Sequence, residues 1–171
     1  ISGNEIRGAY DLLFSQIYGI DVDKEGDVYI ATWLQVIKLD VSEGKLTVAA
    51  GYPKAASASD WGGYSGDGGP ATQAQFNNPR GVAVDDIGNL YIADQNNHAI
   101  RKIDSSGIIT TIAGGNGCCE SGTGGLAVDA QLWSPNAMAV NKAGNIYFTQ
   151  GGHVVKMVDT QGVITTFAGT G

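Results

Sequence analysis

Short apolar runs, each cut off by a polar turn, set the pattern of this chain. Between Pro79 and Gly115 they come in close succession: Gly81 to Val84, Leu90 to Ala93, Ala99 to Ile103 and Ile108 to Ala113. β-Branched and aromatic residues dominate them. Asp85-Asp86-Ile87-Gly88-Asn89, Gln95-Asn96-Asn97 and Asp104-Ser105-Ser106-Gly107 stand between. Apolar runs of this length, punctuated by Asp, Asn, Gly and Ser, predict four strands joined by tight turns. The intervals leave no room for a crossover helix, so the strands are expected to be antiparallel neighbours in a meander.

The pattern recurs. YGIDVDKEGDVYIAT, from Tyr18 to Thr32, aligns without gaps on RGVAVDDIGNLYIAD, from Arg80 to Asp94, and on NAMAVNKAGNIYFTQ, from Asn136 to Gln150. The later strands repeat too, as VIKLD, IRKID and VKMVD, and then as LTVAAG, ITTIAG and ITTFAG. A four-strand sheet repeated at this period is the signature of a β-propeller. Blades are expected at about 17–51, 79–115 and 135–171, with connectors 1–16, 52–78 and 116–134, all in one segment. In the first unit Ile20, Val22, Val28 and Ile30 alternate with Tyr29 and Ala31, so both sheet faces are largely apolar, as in a blade covered on each side by a neighbour.

Composition narrows the function. The chain has 171 residues, long enough for a sizeable core, and its 26 glycines suit an all-β protein that turns often. A net charge of −7 argues against a nucleic-acid footprint, which needs a basic face. No apolar run approaches the ~18 residues of a membrane span, so no membrane insertion is expected.

The connectors repeat as well. Residues 1–16, with Phe14 in the place of Phe76, correspond to SGDGGPATQAQFNNP and to SGTGGLAVDAQLWSP, where Leu132 replaces the aromatic. The spacing of Ala71, Ala74 and Gln75 predicts a helical turn, and the expected role is a plug between neighbouring sheets. The Gly66-Asp67-Gly68-Gly69 turn offers one carboxylate, too few for a metal, and no cofactor is expected. The insert from Tyr52 to Tyr64 carries Trp61, which with Tyr64 is either a contact site or a loop folded on its own blade. Trp33 fills a turn two residues shorter than its counterpart and reads as a packing anchor or a contact residue. Cys118 and Cys119 are adjacent and lack the spacing of a zinc or redox site. A vicinal disulfide, a bond to another chain and two reduced thiols are the options.

The second unit closely resembles the NHL repeat. Asp94, Asn97, His98, Ile100 and Arg101 match its D-x-x-N-H-x-I-R core, within GDGGPATQAQFNNPRGVAVDDIGNLYIADQNNHAIRKID and SSGIITTIAGG. The third unit keeps His153 but has Gln150 and Gly152 for the Asp and Asn, and the first unit has lost all three. The resemblance implies a propeller, most often of six blades, used mainly as a binding platform. It also implies that Asp94, Asn97, His98, Arg101 and His153 serve as scaffold, the Asp accepting turn amides and the His bridging strands. A secreted, periplasmic or cell-surface setting suits such proteins and permits disulfides.

Three blades do not close a ring, which takes about four to eight. Two apolar faces would stay open, a signal for association. Either further blades belong to a longer protein, or two copies join head to tail; an open filament is a further outcome. Positions that differ between the units are free of the fold's demands. Tyr18, Arg80 and Asn136 open the first strands and are expected to ring the channel mouth; Trp33, Gln95 and Gly151 differ likewise. A mixed rim of this kind suits a protein or carbohydrate partner. The alternative, a lyase or hydrolase with a metal-assisted site at that mouth, needs clustered His, Asp or Glu where Tyr, Arg and Asn stand.

Overall fold

The computed structural model describes residues 16–52, 62–151 and 153–170. Phe14 and Trp61 lie outside the described residues, as does most of the first connector. The described strands form three four-stranded antiparallel sheets. The first contains β1 (Ile17–Val22), β2 (Val28–Thr32), β3 (Val36–Asp40) and β4 (Lys45–Ala50); the second β5 (Pro79–Val84), β6 (Leu90–Asp94), β7 (Ala99–Ile103) and β8 (Ile109–Gly114). The third contains β9 (Met138–Val140), β10 (Ile146–Gln150), β11 (Val154–Val158) and β12 (Ile164–Ala168). Within each sheet the strands follow in chain order, the meander expected from the turn spacing.

The turns work through their Asp and Asn side chains. Asp85 Oδ1 accepts the amides of Ile87 and Asn89, at 3.1 and 2.8 Å. Asp23, Asp104, Asn141 and Asp159 each take the amides two and four residues on in the same way. Each holds its own hairpin shut, as short polar side chains do by mimicking a backbone turn.

Two apolar layers lie between the sheets. Ala31, Val36 and Ala50 of the first sheet meet Val82, Leu90, Ile92, Ile103 and Ile109 of the second. The opposite face of the second sheet, with Ala83, Tyr91, Ala93 and Ile100, meets Ile146, Phe148, Val158 and Ile164 of the third. A side chain such as Ile92, wholly buried, contributes roughly 1.5–3 kcal/mol by leaving water. The connectors plug these layers: short 3-10 turns at Ala71–Gln73 and Ala127–Asp129 bring Phe76 and Leu132 into the two clusters.

The outer faces carry residues at the same repeat positions. Ile20, Val28 and Ile30 of the first sheet are the equivalents of Val82, Leu90 and Ile92, and Ile20 is 65% exposed. On the third sheet Tyr147 and Phe167 match Tyr91 and Ile112; Phe167 is 62% exposed and meets Tyr147 edge to face at 4.9 Å.

At the hub the sheets touch backbone to backbone. A Cβ at Gly19 would lie 2.3 Å from the Arg80 carbonyl oxygen, and one at Gly81 would lie 2.1 Å from that of Asn136. Asp21 Oδ2 accepts the Val84 amide at 2.8 Å, tying β1 to β5. Glycine is needed there for space, so that β1, β5 and β9 can lie side by side.

Gly81→Ala is therefore expected to lower the free energy of unfolding by about 1–3 kcal/mol through this clash. Urea denaturation with far-UV circular dichroism measures it. A loss under about 0.5 kcal/mol would show that the inner strands simply move apart.

Candidate functional site: the bulged rim of the inner strands

Strand direction places one set of loops together. The start of β1, the end of β2 and the start of β3 share one end of the first sheet, and the other sheets repeat this. That end carries Tyr18, Arg80, Asn136, Trp33 and Gln95. The opposite end carries the hairpins held by Asp23, Asp85, Asp104 and Asp159.

A local irregularity aims the rim residues. The register of β1 on β2 shifts between Ile17 and Gly19, and that of β5 on β6 between Pro79 and Gly81. Tyr18 and Arg80 are the extra residues of these two β-bulges. A bulge leaves one residue out of the ladder and turns its side chain aside, a device common next to binding sites. Arg80 thereby stacks its guanidinium on the Tyr18 ring, 4.2 Å from the centroid. Trp33 also neighbours Tyr18, ring centroids 6.4 Å apart and planes inclined by 46°. Asn136 is exposed at the start of the third inner strand, its amide donating to the Thr149 carbonyl at 2.8 Å.

Tyr64 does not join them. It lies at the outer edge of the second sheet, its ring over Arg101 at 5.0 Å and its hydroxyl 2.8 Å from that of Thr111. One rim-end aromatic escaped the sequence reading. Trp133, 49% exposed, lies against Gly151, where a Cβ would approach its ring to 2.7 Å. The available signal was a tryptophan standing where the second unit has Asn77.

The D-x-x-N-H-x-I-R residues form a buried clasp between connector and sheet. Arg101 is wholly buried and donates to Asp67 at 2.7 Å and to the Ser65 carbonyl at 3.1 Å, with Asp94 at 3.5 Å. The cation held by the Asp67 turn is thus the protein's own guanidinium. Asp94 accepts the Asn77 amide and the Asn97 side-chain amide, both at 2.8 Å. The first of these comes from the connector, where a turn amide was expected. Burial pushes the Asp94 carboxyl up to about 6. The pull of Asn97, Asn77 and Arg101 does not offset it, because Arg101 is shared with the closer Asp67. His98 has φ 52° and His153 φ 63°, left-handed positions at the end of equivalent turns. His98 Nδ1 accepts the Ser134 amide at 3.1 Å, so it bridges to the next connector.

The third sheet rebuilds the clasp with other residues. Lys156 takes the place of Arg101, pairs with Glu120 at 2.6 Å and donates to Thr123 and Thr166. In the first sheet Ile37 stands there. Cys118 and Cys119 are two exposed free thiols with sulfurs 2.9 Å apart, so the disulfide option is not realised in this structure. Among the described residues no three His, Cys, Asp or Glu side chains gather. No helix among them is long and apolar enough to cross a membrane.

Fold, repeat and clasp together define a segment of a β-propeller of the NHL type. The family model of the Teneurin NHL domain matches residues 56–121 and 118–171, and the chain belongs to that family. It is 34% identical to Teneurin-1 of Gallus gallus over 113 residues, which is 62% of this chain and 4% of that protein. The chain therefore spans a small fraction of the curated relatives it matches. Among solved structures it is similar to an auxiliary nutrient binding protein from Bacteroides ovatus: TM-score 0.60, 20% identity, 91% of this chain and 36% of that one. It is also similar to virginiamycin B lyase from Staphylococcus aureus: TM-score 0.56, 17% identity, 92% of this chain and 42% of that one. One of these binds and the other is a lyase, so the shared fold does not decide between the two roles.

The raised Asp94 gives a pH test. Protonation favours the folded chain here: the contribution is fully present below the ordinary carboxyl value of 3.8 and is lost as pH rises through about 6. The wild type should gain stability relative to Asp94→Asn as pH falls from 7 to 4, by up to about 3 kcal/mol. Thermal melts of both across that range test it. A gap that does not change with pH would show that the Asp94 carboxyl titrates alike in the folded and the unfolded chain.

Proposed function

We propose that this propeller segment is a non-catalytic binding and assembly scaffold, and that its rim takes a protein or carbohydrate partner. The observation that carries the reading is the pair of β-bulges that turns Tyr18 and Arg80 together beside Trp33. Aromatic and Arg side chains that are part buried and already packed lose little entropy on binding, and they dominate contact energies elsewhere. The competing reading, a metal-assisted lyase or hydrolase, draws support only from likeness of fold to enzymes such as the lyase. The residues that open the inner strands are Tyr18, Arg80 and Asn136, where such an enzyme uses His and carboxylates; at the same end Asp94 is buried in the clasp and His98 accepts the Ser134 amide. The proposed setting is outside the cytoplasm, whether secreted, periplasmic or cell surface, and kinship with teneurins supports it.

The assembly half of the reading rests on the open faces. The Ile20–Val22–Ile30 surface repeats the positions that receive a neighbouring sheet, and the Tyr147–Phe167 surface repeats the positions that dock into one. Each is built to meet the other type, whether from further blades of the same protein or from a second copy.

Two measurements test these statements. Trp33→Ala and Tyr18→Ala should keep the far-UV spectrum and weaken a captured partner about tenfold or more, as expected for central aromatic contacts; unaltered binding would remove the rim from consideration. The chain alone should associate, and Ile20→Asp or Phe167→Asp should return it to the mass of one chain in native mass spectrometry. A single-chain mass for the unaltered protein would defeat the assembly reading.

A further inference from the structure

Resting on that rim, we infer that its ligand is an acidic saccharide, a sugar whose carboxylate is gripped by Arg80. The Arg80 guanidinium lies over the Tyr18 ring at 4.2 Å, and its Nε is buried without a hydrogen-bond partner. A guanidinium held against a ring keeps its planar set of N–H groups in one direction. That geometry matches the two oxygens of a carboxylate, and preorganisation spares the ligand the cost of ordering a long side chain.

No carboxylate among the described residues pairs with Arg80. Among the described residues the acidic side chains lie elsewhere or are already engaged. Asp21 holds the Val84 amide, and Asp94 is buried within the clasp. Asp23, Asp85, Asp104 and Asp159 hold hairpins at the far end. In a chain of net charge −7, an arginine among the described residues with no acidic neighbour marks a place kept for an incoming anion.

The neighbours of Arg80 favour a sugar over an acidic peptide. With Arg80 over the Tyr18 ring, Trp33, inclined to it by 46°, is the aromatic side chain suited to the C–H face of a pyranose. Asn136 at the next inner strand is exposed and can donate to and accept from hydroxyls. A peptide carboxylate would use the guanidinium but has no need of this aromatic side chain.

The test titrates the protein with a panel of uronic- and sialic-acid oligosaccharides and with their methyl esters, following tryptophan fluorescence and calorimetry. The acids are expected to bind at least about tenfold more tightly than the esters, since a charge-assisted hydrogen bond is at stake. Arg80→Gln should erase that preference while ester binding persists; Arg80→Lys should restore only part of it; Trp33→Ala should weaken both. Circular dichroism confirms that each variant folds. Equal affinity for acid and ester would overturn the carboxylate grip and leave the rim standing. Saccharide binding untouched by all the variants would overturn the rim itself. Binding of an Asp- and Glu-rich peptide with no member of the panel bound would overturn the saccharide, as would no binding at all.

Discussion

The constraint on which the structure depends is the approach of the three inner strands. Blades pack only because Gly19 and Gly81 let the next strand's backbone come within reach of a missing side chain. Once β1, β5 and β9 are that close, the apolar sheet faces meet along their whole width and the two layers fill. The same approach forces the bulges to do something useful. A residue pushed out of the ladder at so narrow a hub has little room except toward its neighbour, so Tyr18 and Arg80 end in contact.

Away from the hub, the units solve one problem by different means. The connector must be fastened to its sheet at the position of Arg101. The second sheet does so with Arg101 and Asp67, the third with Lys156 and Glu120, and the first has Ile37. A buried cation is costly unless partnered, so each cation co-occurs with its own carboxylate and the acid changes place when the cation changes type. Glu120 stands where the second unit has Tyr64, and Thr123 where it has Asp67. The clasp is a choice made separately in each unit rather than a fixed motif.

This explains what the sequence disclosed. The sheets, their turns and the two-faced burial were readable because Asp, Asn and Gly recur at turn positions and because period-two alternation has one physical cause. The scaffold roles of Asp94 and Arg101 followed from their resemblance to a known repeat. The partner of Arg101 did not: Asp67 is 34 residues away, and only folding brings a connector turn onto β7. The Tyr18–Arg80 stack was half legible. Their equivalence in the repeat placed them at one end, but the bulges that turn them together arise from a one-residue register shift invisible in the alternation. For Tyr64 the sequence left open a contact or a place on its own blade, and its ring lies over Arg101 of that blade.

The two ends of the sheets divide the work accordingly. At the hairpin end, nearly every carboxylate is consumed by its own turn, so a substitution there costs stability before it can alter recognition. At the rim end, the backbone already satisfies itself: in the second sheet the Asn96 amide reaches the Asn77 carbonyl, and in the third the Gly151 amide reaches that of Trp133. The side chains that open the inner strands are thereby released from holding the fold, while Asp94, Asn97 and His98 at the same end fasten the connectors. Tyr18, Arg80 and Asn136 can then differ from unit to unit without penalty, and chemistry suited to a ligand can accumulate only where that freedom exists. The asymmetry follows from strand direction alone, since a meander that starts at the hub puts two capped hairpins at one end and one uncapped connection at the other.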